Sequence, residues 1–422
     1  MDESIMDAVR LMESKQSEKA IALLENFLPQ ADVEEKYTIA ELYIQWGFLK
    51  EASTVLEELL QQFPQEGELK VMLADTYIEL DRDEEAMNLL NEIEEDDPEY
   101  IATLIQLADL YQAQGLFEVA EQKLLAAKQK EPNEPIIDFA LAELMFSTGS
   151  YTNAIMYYEK VLPVTKEIAN VSINDRLAEA YAASGEYEMA LSIYQDIDSE
   201  DSNTLFKYGF TALHAGRKDI AIKAWEHLIE IDMYYHTAYY QLAKTYESED
   251  MINEAYETAK KGLKVDEFNK ELYFLAGSLA HQLNANDESE KWMREAVALD
   301  PDYKEAVLFL IELFKTDENY SQTIDLITEI KSTGATDPLY EWELARAYNE
   351  NESYENALNH YDEAYNSLNE DSDFLKEYGY FLMEEGRQKK ALSVFEKYLS
   401  QQPEDIEMEE YISRIKQMGE TD

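Results

Sequence analysis

Ninety carboxylates, thirty tyrosines and five histidines are the side chains of this 422-residue chain with chemistry to offer. The histidines, His214, His227, His236, His281 and His360, would be its natural metal ligands or general bases. No two of them stand in the H-E-x-x-H spacing that aims two imidazoles from one helical face at one ion. Cysteine is absent, which removes thiolate metal sites, cysteine nucleophiles and disulfides together. No G-x-x-x-x-G-K-[ST], G-x-G-x-x-G or G-x-S-x-G run occurs, so the sequence offers neither a phosphate cradle nor a nucleophile elbow. The acidic runs at residues 92–99 and 198–203 lack the glycine turn and closing glutamate of a calcium loop, and read as solvated turns between helices. Carboxylate pairs are so frequent that none stands out as acid–base machinery. The expectation is a protein without catalytic residues, metal or cofactor.

The charge balance points to partners instead. A formal charge of −55 and a pI near 4.2 repel anionic surfaces. Direct nucleic acid binding, which needs cations to replace phosphate counterions, and attachment to anionic membranes are both disfavoured. The first residues, MDESIMDAVRL, are acidic where a secretory leader is basic, and no run of 18 apolar residues occurs, so a cytoplasmic protein is expected. Its natural partner is a protein or peptide of basic character.

The elements that must position these charges are short paired helices. In residues 101–134, Leu104, Leu107, Ala108 and Tyr111 recur at i, i+3, i+4 and i+7, the stripe of a 3.6-residue helix. Gly115 ends that helix. Phe117, Ala120, Leu124 and Ala127 make a second stripe, closed by Pro132. Ala108 and Ala120 are small enough to let the two helices cross closely. Counting between equivalent small residues, the steps from Ala40 through Ala74 and Ala108 to Ala142 are all 34, the step to Ala178 is 36, and the step to Gly209 is 31. An insertion near residues 163–170 and a shortening near 198–202 therefore flank the sixth unit. Either loops absorb them or the chain bends there. Ser289, Thr323 and Ile311 stand where small residues belong, which predicts looser or re-adjusted packing in the ninth and tenth units.

The pattern L-A-x-x-Y, then G-x-F-x-x-A-x-x-x-L, then P, at a period of about 34 residues, resembles the tetratricopeptide repeat (TPR) family. In length, acidity and repeat order the chain is similar to the YpiA-type cytosolic TPR proteins of Bacillus relatives. The resemblance implies an all-α, right-handed superhelical solenoid of about twelve helix-turn-helix repeats with a C-terminal capping helix, working as a non-enzymatic scaffold for protein–protein interaction. One solenoid is expected over 1–422: N-terminal repeats over 1–170, an irregularly spaced repeat over 171–203, C-terminal repeats over 204–405, and a cap and tail over 406–422. No separate effector module is expected.

The family's positions 2, 5, 9 and 12 line its concave face. Carried onto this sequence, position 9 is Glu41, Asp75, Asp109, Glu143 and Glu179 in five successive repeats, an acidic ladder. Carboxylates stand where the family's chaperone-binding class needs a basic clamp, which puts that activity in doubt here. Beyond repeat six, position 9 becomes Phe210, Lys244, Ser278, Glu312, Arg346 and Tyr380, and position 5 becomes Phe206, Tyr240, Phe274, Leu308 and Trp342. These apolar side chains fit either the contact between repeats or an aromatic groove edged by Lys244 and Arg346 that takes a partner's apolar anchors. The expected partner is a basic cytosolic protein, among them the transcription and translation machinery. The alternative is a structural protein that assembles with itself.

Overall fold

Twenty-five α-helices make up most of the computed structural model, which describes residues 3–197 and 200–419. They pair in sequence order into twelve hairpins, from Glu3–Glu13 with Ser17–Phe27 to Ser372–Glu384 with Gln388–Gln401, and Ile406–Gly419 follows as the twenty-fifth. The fold is the expected all-α repeat solenoid. The helices gather into two compact units, Met1–Ser199 and Glu200–Asp422. Among the described residues, no helix is long and apolar enough to cross a membrane.

The reference hairpin comprises Tyr100–Ala113 and Phe117–Lys130, with Ala108, Ala120, Leu124 and Ala127 buried between them. Phe117 departs from the expected stripe and is 40% exposed. Where the first helix carries Gly209 or Gly379, a ring of the second helix, Trp225 or Phe395, packs against it. A methyl group on Gly209 would run into the Trp225 indole, so that crossing is close-packed.

All twelve hairpins turn the same way. The fifteenth residue of each repeat has positive φ, at glycine in six repeats, Gly47, Gly115, Gly149, Gly185, Gly216 and Gly386, and at Lys15, Asp81, Asp250, Asn284, Glu318 and Glu352 in the others. A side chain in that left-handed conformation costs about 1–2 kcal/mol. First helices often open on a side-chain cap. Asp32 and Glu35 form a reciprocal capping box, and Ser172, Asn269, Asp337 and Asp371 each accept from a backbone N–H in the first turn.

The insertion before repeat six is a small β-hairpin. Glu167–Ile168 pairs antiparallel with Val171–Ser172 around Ala169 and Asn170, both of positive φ as a two-residue primed turn requires. In the shortened stretch near 198–202, Asp198 and Ser199 lie outside the described residues.

Repeats nine and ten accommodate their irregular residues differently. Ser289 is fully buried and its hydroxyl donates to the Gly277 carbonyl at 2.8 Å. Thr323 and Ile311 are also buried, and the Thr323 hydroxyl has no hydrogen-bond partner. At the C-terminus, Met408 and Ile412 of Ile406–Gly419 join the core of the last two repeats, leaving the polar residues of that helix outside.

Candidate functional site

Position 9 follows the small crossing residue by one place, which brings its side chain within reach of the first helix of the next repeat. The contact it makes there is regular. In three places the side chain at position 9 meets position 6 of the following repeat: Asp75 accepts from the Gln106 amide, Glu143 pairs with Arg176, and Arg346 pairs with Glu377. The state of each rung is therefore set by a residue 31 to 33 places downstream.

Read this way, the ladder falls into two parts. Glu143 and Glu179 are half-buried and held by one guanidinium: Arg176 bonds Glu143, whose other oxygen accepts from the Tyr158 hydroxyl at 2.5 Å, and it reaches Glu179 at 3.1 Å. Burial alone would lower the Arg176 pKa, but the carboxylates of Glu143 and Glu179 hold it above its ordinary value. The other three rungs, Glu41, Asp75 and Asp109, are exposed and pair with no cation among the described residues. At position 6 of the repeats that follow them stand Met72, Gln106 and Ala140, none of which carries charge. The protein crowding around Asp75 and Asp109 raises both carboxyl pKa values; at Asp75 the Gln106 bond opposes the rise and Glu79 adds to it.

The acidic run at 92–99 contains its own cation. Lys70, 4% exposed, extends its ammonium to the Glu92 carbonyl at 3.2 Å and to the Glu92 carboxylate at 3.4 Å, beside Glu94, Asp96 and Asp97. Part of the other acidic run, at Asp198 and Ser199, lies outside the described residues.

In the second unit the aromatic positions divide between core and surface. Trp342, 8% exposed, donates its indole N–H to Glu377 at 2.7 Å and packs under the Arg346 guanidinium at 4.0 Å. Glu377 also accepts from Arg346 at 2.5 and 2.8 Å and from the Tyr361 hydroxyl at 2.9 Å. Burial would raise the Glu377 pKa, but these donors, Arg346 first, hold it below the usual carboxylate range. Arg346 is further tied to Glu343, which Lys315 reaches at 2.9 Å. Trp342 and Arg346 therefore belong to an internal network. Phe206 and Phe274 are half-buried against neighbouring rings, Tyr235 and Tyr303, with centroids at 5.2 and 5.4 Å. What faces outward is Phe210, 43% exposed and edge-on to His214, together with Lys244 over the Tyr240 ring at 5.9 Å. Leucine at position 6 of the next repeat, Leu275, gives Lys244 no counter-charge.

The profile of YpiA-like C-terminal tetratricopeptide repeats matches residues 338–405, and that of YpiA-like tetratricopeptide repeats matches 112–164. Other tetratricopeptide repeat profiles match 43–105, 175–199, 236–269 and 270–303. The TPR repeat-containing protein YpiA of Bacillus subtilis (strain 168) is 43% identical over 417 residues, covering 98% of this chain and 99% of that protein. The chain belongs to the YpiA-like family of tetratricopeptide repeat proteins. Among solved structures it is similar to YrrB, described as a TPR protein with an unusual peptide-binding site, at 16% identity and a TM-score of 0.38 over 44% of this chain and 95% of that one. It is also similar to the Naa15/Naa10 structure with HypK-THB, at 16% identity and a TM-score of 0.42 over 90% of this chain and 65% of that one.

Tetratricopeptide repeats make this YpiA-like chain a protein-interaction scaffold. The position-6 residues that decide which rungs are neutralised, Arg176 and Glu377 above all, are not among the site residues expected from the sequence. A signal for them was present. Each has the charge opposite to position 9 of the repeat before it, Glu143 for Arg176 and Arg346 for Glu377.

Proposed function

We propose that this YpiA-like scaffold holds an extended basic segment of a partner protein along Glu41, Asp75 and Asp109, the part of the ladder that carries no internal counter-ion. The observation behind this reading is the uncharged set Met72, Gln106 and Ala140 opposite those rungs, against Arg176 opposite Glu143. First helices at ordinary packing distances lie about 10 Å apart, and an extended chain advances about 3.3 Å per residue, so the partner presents a lysine or arginine about every third residue. Each cation would form a charge-assisted hydrogen bond with an exposed carboxylate. A basic protein of the cytosol, including the transcription or translation machinery, meets that requirement. Phe210, Tyr240, Lys244 and Phe274 of the second unit would add an apolar anchor site, with Trp342 and Arg346 serving as its internal support.

Fluorescence anisotropy with a labelled twelve-residue peptide bearing lysine at every third position tests this at physiological salt. Changing Glu41, Asp75 and Asp109 together to Lys should abolish binding. Changing Glu25, Glu84 and Glu118 of second helices to Lys makes the same change in net charge and should weaken it only slightly. Equal losses from both triple variants would reduce the effect to the overall field of the protein and overturn the groove reading.

A further inference from the structure

We propose that Glu341, His360 and Glu363 form a binding site for one divalent transition-metal ion of the zinc class, built into repeat eleven and separate from the groove. Glu341 lies on the first helix of that repeat, Pro338–Glu350, and His360 and Glu363 lie one turn apart on the second, Tyr354–Leu368. The Glu341 Oε2 and His360 Nδ1 atoms are 2.8 Å apart, and His360 Nδ1 is 3.9 Å from Glu363 Oε2. One ligand atom from each residue lies within 4.8 Å of the others. Ligands bound about 2 Å from a tetrahedral zinc ion stand about 3.3 Å from one another, a spacing that the two measured distances bracket. Closing the set requires Glu363, whose side chain is 62% exposed, to move inward and the Glu341–His360 contact to open by about 0.5 Å.

The surroundings hold the other two ligands in place. The His360 ring is stacked on Tyr348, with centroids 5.3 Å apart and planes within 1°. Lys331 binds Oε1 of Glu341, which leaves Oε2 to face the imidazole. A carboxylate only accepts, so His360 Nδ1 carries the hydrogen in that contact. For an ion to bind, Nδ1 gives that hydrogen up to water and the ring takes one from water on Nε2, the tautomer that frees the Nδ1 lone pair. Glu341 and Glu363 also line an open cavity of about 360 Å³ that reaches Asn366, giving a hydrated ion its route and room for a remaining water ligand. One imidazole with two carboxylates suits zinc or cobalt better than magnesium or calcium, which prefer oxygen alone. The bound ion would join the two helices of the repeat.

The test is isothermal titration of the full chain, stripped with a chelator, with Zn²⁺ in a large excess of Mg²⁺ that saturates diffuse binding to the acidic surface. The expected result is one zinc site per chain, with Co²⁺ at the same site giving the visible absorption of nitrogen and oxygen ligation. His360→Gln and Glu363→Gln should each weaken zinc binding at least tenfold, and Glu355→Gln on the same helix should leave it unchanged. Circular dichroism checks that each variant is folded. Should His360→Gln unfold, the exposed Glu363→Gln carries the comparison alone. Zinc binding of unchanged affinity in the folded variants, or zinc displaced stoichiometrically by magnesium, would overturn the proposal.

Discussion

At the scale of single residues, the charge that the proposed groove needs works against stability. Asp109 stands exposed yet crowded, with burial raising its carboxyl pKa and Ala140 providing no counter-charge at the place where Arg176 serves Glu143. A raised folded-state pKa means that the folded protein holds this proton more tightly than the unfolded chain. The contribution of Asp109 to stability is therefore present below the ordinary carboxylate range near about pH 4 and is lost as pH rises through the folded value; at neutral pH its charge weighs against folding. Asp109→Asn should stabilise the protein at pH 7 by on the order of 0.5 kcal/mol or less, since solvent screens so exposed a group. The same substitution should weaken capture of the lysine peptide. Urea unfolding at pH 7 and pH 3 checks the first effect, which should shrink at the lower pH. A destabilised Asp109→Asn at pH 7 would show that Asp109 has a cationic partner in solution.

At the scale of the helical pair, one turn geometry serves twelve sequences. Six repeats reach the left-handed fifteenth position with glycine, and the others force a side chain into it. Asp250 and Asn284 tolerate that region better than most residues because their short polar side chains bond locally. Glu318, at φ 54°, lacks that help and sits in repeat ten, where the buried Thr323 hydroxyl is also unpartnered. Two local costs thus coincide in one hairpin. Glu318→Gly should stabilise the protein by about 0.5–1 kcal/mol, the relief of strain less the added freedom of glycine in the unfolded chain. Thermal unfolding measures it. An unchanged or lower midpoint would mean the turn relaxes to negative φ in solution.

At the scale of the whole molecule, stacking lets each repeat depend on its neighbours, so local weakness appears where spacing changes. The spacing changes on both sides of repeat six, at the exposed hairpin around Ala169 and Asn170 and near Asp198 and Ser199, which lie outside the described residues. Val164, ahead of that hairpin, is 66% exposed. Limited proteolysis should cut first within residues 163–202, leaving fragments that begin or end there when read by mass spectrometry. A first cut at residues 317–320 would move the weak point to repeat ten. The division into compact units Met1–Ser199 and Glu200–Asp422 is the structural ground for expecting the first outcome.

The sequence by itself determined the period, the helical pairs, their small crossing residues and the terminal helix, because each follows from spacing along one or two turns. It also brought out the acidic position 9, which lies in a regular register with Ala40, Ala74, Ala108 and Ala142. Only the tertiary structure decided which rungs keep their charge, because that depends on how one repeat rotates against the next and so which side chain some 31 places on comes within reach. For the same reason Trp342 and Arg346 looked from their spacing as ready for a groove as Tyr240 and Lys244, until Glu377 of the following repeat came within reach of both. The triad of Glu341, His360 and Glu363 was illegible for a related cause. Its histidine meets a carboxylate from the partner helix 19 residues away, where no single-helix motif places a ligand.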